Sequence, residues 1–188
     1  MADTTGNTIS GNAIGLAADG HSGLGNTFVG IACVDQCQDN MIGPRNHIAY
    51  NSSDGVLVGN AASYGNVITE NNIHANGDKG IELLDGNNGI LPPDILSTMP
   101  GSVIIQGTAC SECTVEIFAS PTDEGEGQLF LGRVAADLAG QYILEVPGLP
   151  YPYLTATAID AEDGTSEFSA VFRSTVYFVF LPFVVAAH

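Results

Sequence analysis

Four carboxylates in the first half of the chain have the chemistry that hydrolysis of a glycosidic bond would need: Asp54, Glu70, Asp78 and Glu82. That reaction requires two or three carboxylates on one face of the protein. Asp54 and Asp78 stand just before glycines, where aspartate commonly forms a turn, and Glu82 falls on the outward side of a predicted strand. We therefore expect turn-forming or solvated carboxylates here rather than a catalytic pair.

Basic residues in the same region are too few to suggest a lyase. Such an enzyme needs a base beside a carboxylate, usually with calcium held by clustered acids. The region offers only Arg45 and Lys79, and nothing in the sequence places either beside an acidic cluster. His47 and His74 lie close to asparagines, where we expect outer-surface imidazoles. The sequence predicts a protein that is not an enzyme.

Calcium is the one cofactor for which the sequence offers a candidate site, and no cofactor is certain. Asp160, Glu162 and Asp163 crowd a single turn, and Asp35 and Asp39 flank Cys37. Carboxylate oxygens are the ligands that calcium prefers, and a bound ion would relieve part of the negative charge. The alternative is an acidic turn that is simply solvated.

Four cysteines occur as two close pairs, Cys33 with Cys37 and Cys110 with Cys113. In an oxidising compartment each pair could close a small local disulfide loop. Free thiols and a zinc site are the alternatives, because both spacings are tolerable for zinc. The two pairs lie in segments of different composition and need not meet in space, so local disulfides are favoured.

The charge of the chain excludes two classes of partner. Acidic residues outnumber basic ones by 21 to 4, which gives a formal net charge of −17. Nucleic-acid phosphates and anionic lipid headgroups would repel such a surface. The most apolar segment, "TVYFVFLPFVVAA" at 175–187, is shorter than the roughly 20 residues that span a bilayer. We expect no nucleic-acid binding and no membrane insertion.

Asparagine marks a boundary near the middle of the chain. All thirteen asparagines lie in residues 1–92, and Pro92 and Pro93 stand where they stop. Two prolines interrupt regular pairing and stiffen a connection. The sequence therefore predicts two domains, at 1–92 and 93–173, followed by an apolar strand at 174–188.

The first domain contains four similar segments that begin with asparagine. Their starts are about 20 residues apart, and the predicted stacking column is Ile9, Phe28, Ile48 and Ile68. Two segments, "DGVLV" at 54–58 and "KGIEL" at 79–83, add a second short strand with alternating apolar residues. This period, with short strands and glycine turns, is typical of one turn of a parallel β-helix. The alternative is a series of antiparallel hairpins.

The second domain has the pattern of a sandwich of antiparallel strands. "TVEIFAS", "QYILEV" and "YLTATAID" are short alternating strands, with turn sequences "DLAG" and "AEDG" between strands. An immunoglobulin-like sandwich with one core-facing side to each strand is expected. The fold class predicted from the sequence is all-β: a short right-handed parallel β-helix followed by an immunoglobulin-like β-sandwich.

A family resemblance supports the same organisation over residues 1–172. The "N-x-I-x-x-N…G-I-x-L" segments resemble the right-handed parallel β-helix repeats of secreted bacterial proteins. "VEIFASP", "GEGQLFLG" and "LTATAIDAEDGTSEFSAVF" look like the β-sandwich module that follows such repeats in large extracellular proteins. The resemblance implies a secreted or cell-surface location, but the repeat motifs are shared by enzymes and non-enzymes alike.

The apolar residues near the end of the sequence need a cover. Exposing several of them would cost about 1.5–3 kcal/mol each. They could form a last strand of the sandwich, or add to an open edge on another subunit. The residues expected to mediate such assembly are Tyr177, Phe178, Val179, Phe180, Leu181, Phe183 and Val184.

These observations predict a non-enzymatic structural or adhesive protein of the cell surface or exterior. An open repeat at one end and an apolar strand at the other would assemble copies head to tail into filaments. The protein's partner would then be itself. The alternative is an enzyme or binding module that acts on polysaccharide.

Overall fold

A computed structural model describes residues 4–99 and 103–175, and within them the fold is all-β. The only helical element described is a single 3-10 turn at Asn87–Gly89. Among these residues no helix has the length and apolarity that crossing a bilayer requires. The predicted assembly residues at 177–184 lie outside the described residues.

Eleven short strands make up the first part of the chain, and all of them pair in parallel. They are β1 (Thr4–Thr5), β2 (Thr8–Ile9), β3 (Ala13–Ile14), β4 (Ile31–Val34), β5 (Cys37–Gln38), β6 (Met41–Ile42), β7 (His47–Ala49), β8 (Val56–Gly59), β9 (Val67–Ile68), β10 (Asn72–His74) and β11 (Ile81–Leu84). The parallel pairing excludes the alternative of antiparallel hairpins.

The parallel strands form three three-stranded sheets and one short pair. The sheet orders are β2-β6-β9, β3-β7-β10 and β4-β8-β11, and β1 pairs with β5. Each three-stranded sheet takes one strand from each of three successive passes of the chain. The passes therefore stack on one another as coils, and each coil contributes one strand to each of the three sheets.

Buried aliphatic side chains stack from coil to coil. In one sheet Ile14, Ile48 and Ile73 are register partners, and Ile48 and Ile73 are buried. The other columns have the same character: Ile9, Ile42 and Ile68; Ile31, Val56 and Ile81; Cys33, Val58 and Leu83. Most of these side chains join one apolar core.

The spacing predicted for the coils is wrong. Residue 48 pairs with residue 73, and residue 56 with residue 81, so the later coils repeat every 25 residues rather than 20. Ile9 and Ile68 do share a column, but Ile42 lies between them, and Ile48 belongs to a different sheet. Phe28 is in no strand and is 63% exposed, so it belongs to no column.

Glycine precedes the strand of the third sheet in every coil because the coils approach closely there. A Cβ on Gly30 would lie 2.6 Å from the carbonyl oxygen of Gly55, and a Cβ on Gly55 would lie 2.6 Å from that of Gly80. No side chain fits at this distance. The glycines of "DGVLV" and "KGIEL" therefore fix how tightly successive coils stack.

Eight further strands, from residue 94 onward, pair with one another antiparallel. One sheet has the order β12-β13-β16, and the other has β15-β14-β17-β18 with β19 also paired to β17. The strands are β12 (Asp94–Met99), β13 (Val103–Thr108), β14 (Thr114–Ser120), β15 (Leu129–Ala135), β16 (Gln141–Val146), β17 (Tyr153–Asp160), β18 (Gly164–Thr165) and β19 (Phe172–Arg173).

Both faces of the central strands β14 and β17 are covered, which differs from the predicted alternation. Val115 and Ile117 join the core of the antiparallel part, as expected. Glu116 and Phe118, predicted to lie on the opposite side, are 0% and 3% exposed. Their side of the sheet packs against the last coil of the parallel part, so it has no access to solvent.

Candidate functional site

Three columns of asparagines run along the parallel stack, close to its strands. In each column the amide oxygen of one asparagine accepts hydrogen bonds from the backbone and side-chain N–H groups of the asparagine in the coil before it. The columns are Asn7, Asn40, Asn66 and Asn87; Asn12, Asn46 and Asn71; and Asn26, Asn51 and Asn76. We call these columns the asparagine ladders.

The ladder through Asn46 shows how completely each internal amide is used. Its Oδ1 accepts from the backbone N of Asn12 at 3.0 Å and from Asn12 Nδ2 at 3.1 Å. Its Nδ2 donates to Asn71 Oδ1 at 3.0 Å and to the carbonyl of Ile9 at 2.8 Å. Asn46 is fully buried, so these bonds replace the water that its amide loses on folding.

Glu126, from the antiparallel part, closes one ladder at the last coil. Its carboxylate accepts from Asn76 Nδ2 at 2.9 Å and from the backbone N of Asn76 at 3.3 Å. An oxygen of the next asparagine would occupy this position if the stack continued. Burial raises the pKa of Glu126 to about 7, although the bonds from Asn76 act in the opposite direction.

Thr165 and Asn87 close the last coil along a second edge. Ile68 N donates to Thr165 Oγ1 at 2.8 Å, and Thr165 Oγ1 donates to the carbonyl of Ile68 at 3.1 Å. Asn87 Oδ1 accepts from Asn66 N at 3.1 Å, and Asn87 Nδ2 donates to the carbonyl of Thr165. The backbone groups of this coil therefore find partners within the same chain.

A second buried carboxylate, Glu116 of β14, reaches the same coil. Glu116 Oε1 accepts from Thr69 Oγ1 at 2.5 Å, and Glu116 Oε2 accepts from the backbone N of Glu70 at 3.0 Å. Burial raises the pKa of Glu116 above its ordinary value. Arg133 forms an ion pair with Glu70 at 3.2 Å on the rim of this contact. Folding thus places two carboxylates between the parallel and antiparallel parts.

The opposite end of the stack has no such cover among the described residues. The first-coil asparagines Asn7, Asn12 and Asn26 donate to the second coil, but no described group donates to their Oδ1 atoms. The backbone N of Ser10 likewise has no acceptor in the described chain. Ile9 is 36% exposed, whereas Ile42 below it is 2% exposed. We call this surface the open coil.

The carboxylates considered for glycoside hydrolysis are used in local contacts. Glu82 forms an ion pair with Lys79 at 2.5 Å, and Lys79 also contacts Glu167 at 2.9 Å. Asp54 accepts a hydrogen bond from the backbone N of Lys79 at 3.2 Å, and Glu70 is the partner of Arg133. Activity on polysaccharide, and polysaccharide binding, stay untested predictions.

The acidic turn considered for calcium is held by its own backbone. Asp160 Oδ1 accepts from the backbone N of Glu162 at 2.8 Å and of Asp163 at 3.1 Å. Asp163 Oδ1 accepts from Asn88 Nδ2 at 2.6 Å. Across residues 4–99 and 103–175, no group of three or more His, Cys, Asp or Glu side chains is placed to hold a metal ion. Calcium binding at this turn stays a prediction.

Both local disulfides form as predicted. Cys33 bonds to Cys37 within the core of the parallel part, and Cys110 bonds to Cys113 between β13 and β14. The Cys37 sulfur also lies 3.2 Å from Asn40 Nδ2, beside an asparagine ladder. Two disulfides are typical of a protein that folds in an oxidising environment.

The residues that close the last coil were not predicted from the sequence. A signal was present for one of them: Glu116 lies within the otherwise uncharged run "TVEIFAS", in a strand that has no room for a solvated side. Glu126 gave no signal, since "DEGEGQ" reads as an exposed acidic loop.

No protein-family model matches the chain, and no curated protein sequence matches it either. Its function must therefore be inferred from its own geometry. The most distinctive feature of that geometry is the contrast between the two ends of the parallel stack. One end is closed by buried carboxylates, a threonine and an asparagine of the same chain, while the other end has unmatched hydrogen-bonding groups.

Proposed function

We propose that this chain is a non-enzymatic structural or adhesive protein of the cell surface or exterior that assembles with further copies of itself. In this proposal residues 1–92 are a short right-handed parallel β-helix and residues 93–173 an immunoglobulin-like sandwich. The observation that carries the proposal is the open coil, whose hydrogen-bonding groups have no described partner. The two disulfides support an oxidising and therefore external location.

The open coil has the features of an edge to which another strand adds. Met41 N donates to the carbonyl of Asn7, and Gly43 N to that of Ile9, so each coil meets its predecessor through regularly spaced amides. Thr8, the register partner of Met41, presents its own amide on the opposite side. A strand laid against this side would pair with the backbone and also cover Ile9.

The occupant that we propose for the open coil is the apolar segment 176–188 of a second copy. Its sequence supplies large apolar side chains that would cover Ile9 and the coil interior, each of them contributing about 1.5–3 kcal/mol when buried. Contact between unlike surfaces of identical chains does not close on itself unless the rotation between copies completes a ring. The expected product is a filament.

Two variants test the two surfaces separately. Truncation after Thr175 removes the apolar segment but keeps Ser174, whose backbone N donates to the carbonyl of Pro152 at 2.8 Å. Ile9→Lys places a charge on the open coil, where it would be buried by an added strand. The matched control is Leu138→Lys, which adds the same charge at a turn residue that is 79% exposed.

The measurement is mass by light scattering over a wide range of protein concentrations, with electron microscopy of the same samples. We expect the full chain and Leu138→Lys to form particles that grow with concentration. The truncated chain and Ile9→Lys should remain monomers with unchanged circular dichroism. A full chain that stays monomeric at every concentration, or a truncated chain that assembles like the full one, would refute the proposal.

A further inference from the structure

Two histidines from neighbouring coils bring their ring nitrogens together on the outer face of one parallel sheet. His47 belongs to β7 and His74 to β10, and the two strands pair so that Ile48 lies beside Ile73. Because Ile48 and Ile73 point into the core, the histidines on either side of them point outward. The Nε2 atoms of His47 and His74 lie 2.8 Å apart, and the ring centroids lie 5.0 Å apart.

An unsatisfied oxygen belongs to the same outward face. Asn72 is the register partner of His47 and stands two residues before His74 on β10, so the three side chains share one side of the sheet. The Oδ1 atom of Asn72 is buried and has no hydrogen-bond partner. A buried amide oxygen without a donor is uncommon, since leaving it unpaired costs about 1–3 kcal/mol.

The two imidazoles are suited to remain neutral. Burial lowers the pKa of His47, and the nearby His21 acts in the same direction. Burial also lowers the pKa of His74, with a further contribution from His47, while Glu124 opposes it. A neutral imidazole has a lone pair on one nitrogen, which is the form that binds metal ions.

We propose that a divalent late transition-metal ion binds between Nε2 of His47 and Nε2 of His74, with Asn72 Oδ1 as a third donor. This inference does not depend on the proposed assembly, because the site lies on the outer face of β7 and β10. Without metal, one Nε2 must carry a hydrogen to bond to the other. On metal binding that hydrogen moves to Nδ1 of the same ring, so both Nε2 lone pairs face the ion and no net proton is released.

The separation of the two nitrogens indicates which ions fit best. Two nitrogens about 2.0 Å from one ion lie about 2.8 Å apart when the angle at the metal is 90°, and about 3.3 Å apart when it is tetrahedral. The observed 2.8 Å therefore matches tetragonal Cu²⁺ or Ni²⁺ better than tetrahedral Zn²⁺. Imidazole nitrogen also favours Cu²⁺ over the hard ions Ca²⁺ and Mg²⁺.

Copper titration with electron paramagnetic resonance tests this site directly. Cu²⁺ is added to the full-length protein in the presence of excess Ca²⁺, which occupies exposed carboxylates. The wild-type spectrum should show one equivalent of copper coupled to two imidazole nitrogens. His47→Ala and His74→Ala should each leave one such nitrogen and weaken binding by about tenfold or more, because loss of even an outer partner typically weakens binding 10–100-fold.

Two controls separate metal binding from damage to the fold. His21→Ala removes a histidine from the adjacent loop and should leave both nitrogens and the copper affinity unchanged. His47→Gln provides an outward polar side chain if the alanine variant unfolds, and it should lose one nitrogen in the same way. Copper should also raise the melting temperature of wild type and of His21→Ala but not of His47→Gln, since a ligand bound only to the native state stabilises it.

The role of Asn72 has its own test. Asn72→Asp places a negatively charged oxygen at the same position and should tighten copper binding by about tenfold if that oxygen is a donor. An unchanged affinity in Asn72→Asp would remove Asn72 from the ligand set. A wild-type spectrum with oxygen ligands only, or full copper affinity in both His47→Gln and His74→Ala, would overturn the site itself.

Discussion

The carboxylate of Glu126 accepts both the backbone and the side-chain N–H of Asn76, and in doing so replaces the asparagine that a further coil would supply. A residue of the antiparallel part thus ends a hydrogen-bonding pattern that belongs to the parallel part. The two parts are therefore joined by the same interactions that join one coil to the next.

Replacement of Glu126 by glutamine should flatten the dependence of stability on pH. The folded protein keeps the Glu126 proton up to about pH 7, whereas the unfolded chain loses it near 4.5. Because the native state binds more protons between these values, its stability is greatest below pH 4.5 and falls as the pH rises to 7, by about 3 kcal/mol. Urea unfolding of wild type and Glu126→Gln at several pH values measures the difference.

The control for that experiment is Glu124→Gln, at an exposed position in the same loop. It should keep most of the wild-type slope, because its carboxyl group is not buried against Asn76. Glu116, whose pKa is also raised by burial, contributes a residual slope of the same sign in Glu126→Gln. Equal slopes in wild type and Glu126→Gln would show that Glu126 ionises normally.

Removal of one internal ladder amide should destabilise the protein far more than removal of a terminal one. Asn46→Ala leaves the carbonyl of Ile9 and the backbone N of Asn12 without partners inside the fold, so we expect a loss of about 3 kcal/mol. Asn12→Ala, which removes an exposed amide at the open coil, should cost about 1 kcal/mol. Chemical denaturation of both variants gives the comparison, and equal losses would contradict the ladder.

Two core substitutions distinguish a coil of 25 residues from one of 20. Ile48→Ala removes a fully buried side chain between Ile14 and Ile73, and should cost about 3 kcal/mol. Phe28→Ala truncates a larger residue that the 20-residue spacing would have placed in the core. Since Phe28 is 63% exposed, its loss should change the unfolding free energy by less than about 0.5 kcal/mol.

Loss of the Cys33–Cys37 disulfide should lower stability by about 2 kcal/mol, the value that chain entropy gives for so short a loop. The double variant Cys33→Ala/Cys37→Ala, compared with wild type by thermal unfolding, measures this loss. The added effect of a reductant on the double variant then reports the Cys110–Cys113 bond alone. A double variant as stable as wild type would indicate that the disulfide contributes nothing to the folded state.

The direction of strand pairing was predictable from the sequence, but the spacing was not. Asparagines recur three times per coil, at 40, 46 and 51 and again at 66, 71 and 76. An alignment that matches any asparagine to any other can therefore settle on 20 residues, because the ladders themselves are only five or six residues apart. The glycine-led strands beginning at Gly55 and Gly80 carried the true spacing of 25.

Contacts between the two parts of the chain could not be predicted from local pattern. Alternation in "TVEIFAS" indicates which residues share a face, but not whether the second face meets solvent or another sheet. Glu116 and Thr165 acquire their roles only because β14 and β18 lie across the end of the parallel stack. The pairing of His47 with His74 likewise depends on the coil spacing and was hidden by the wrong one.

The asparagine ladders give the stack a chemical direction. Every amide oxygen in a ladder faces the preceding coil, so at the open coil the side chains of Asn7, Asn12 and Asn26 offer oxygen lone pairs alone. Two such surfaces brought face to face would set acceptor against acceptor. A symmetric pair of copies joined through this end is thereby disfavoured, and any chain that docks there must arrive bearing N–H groups.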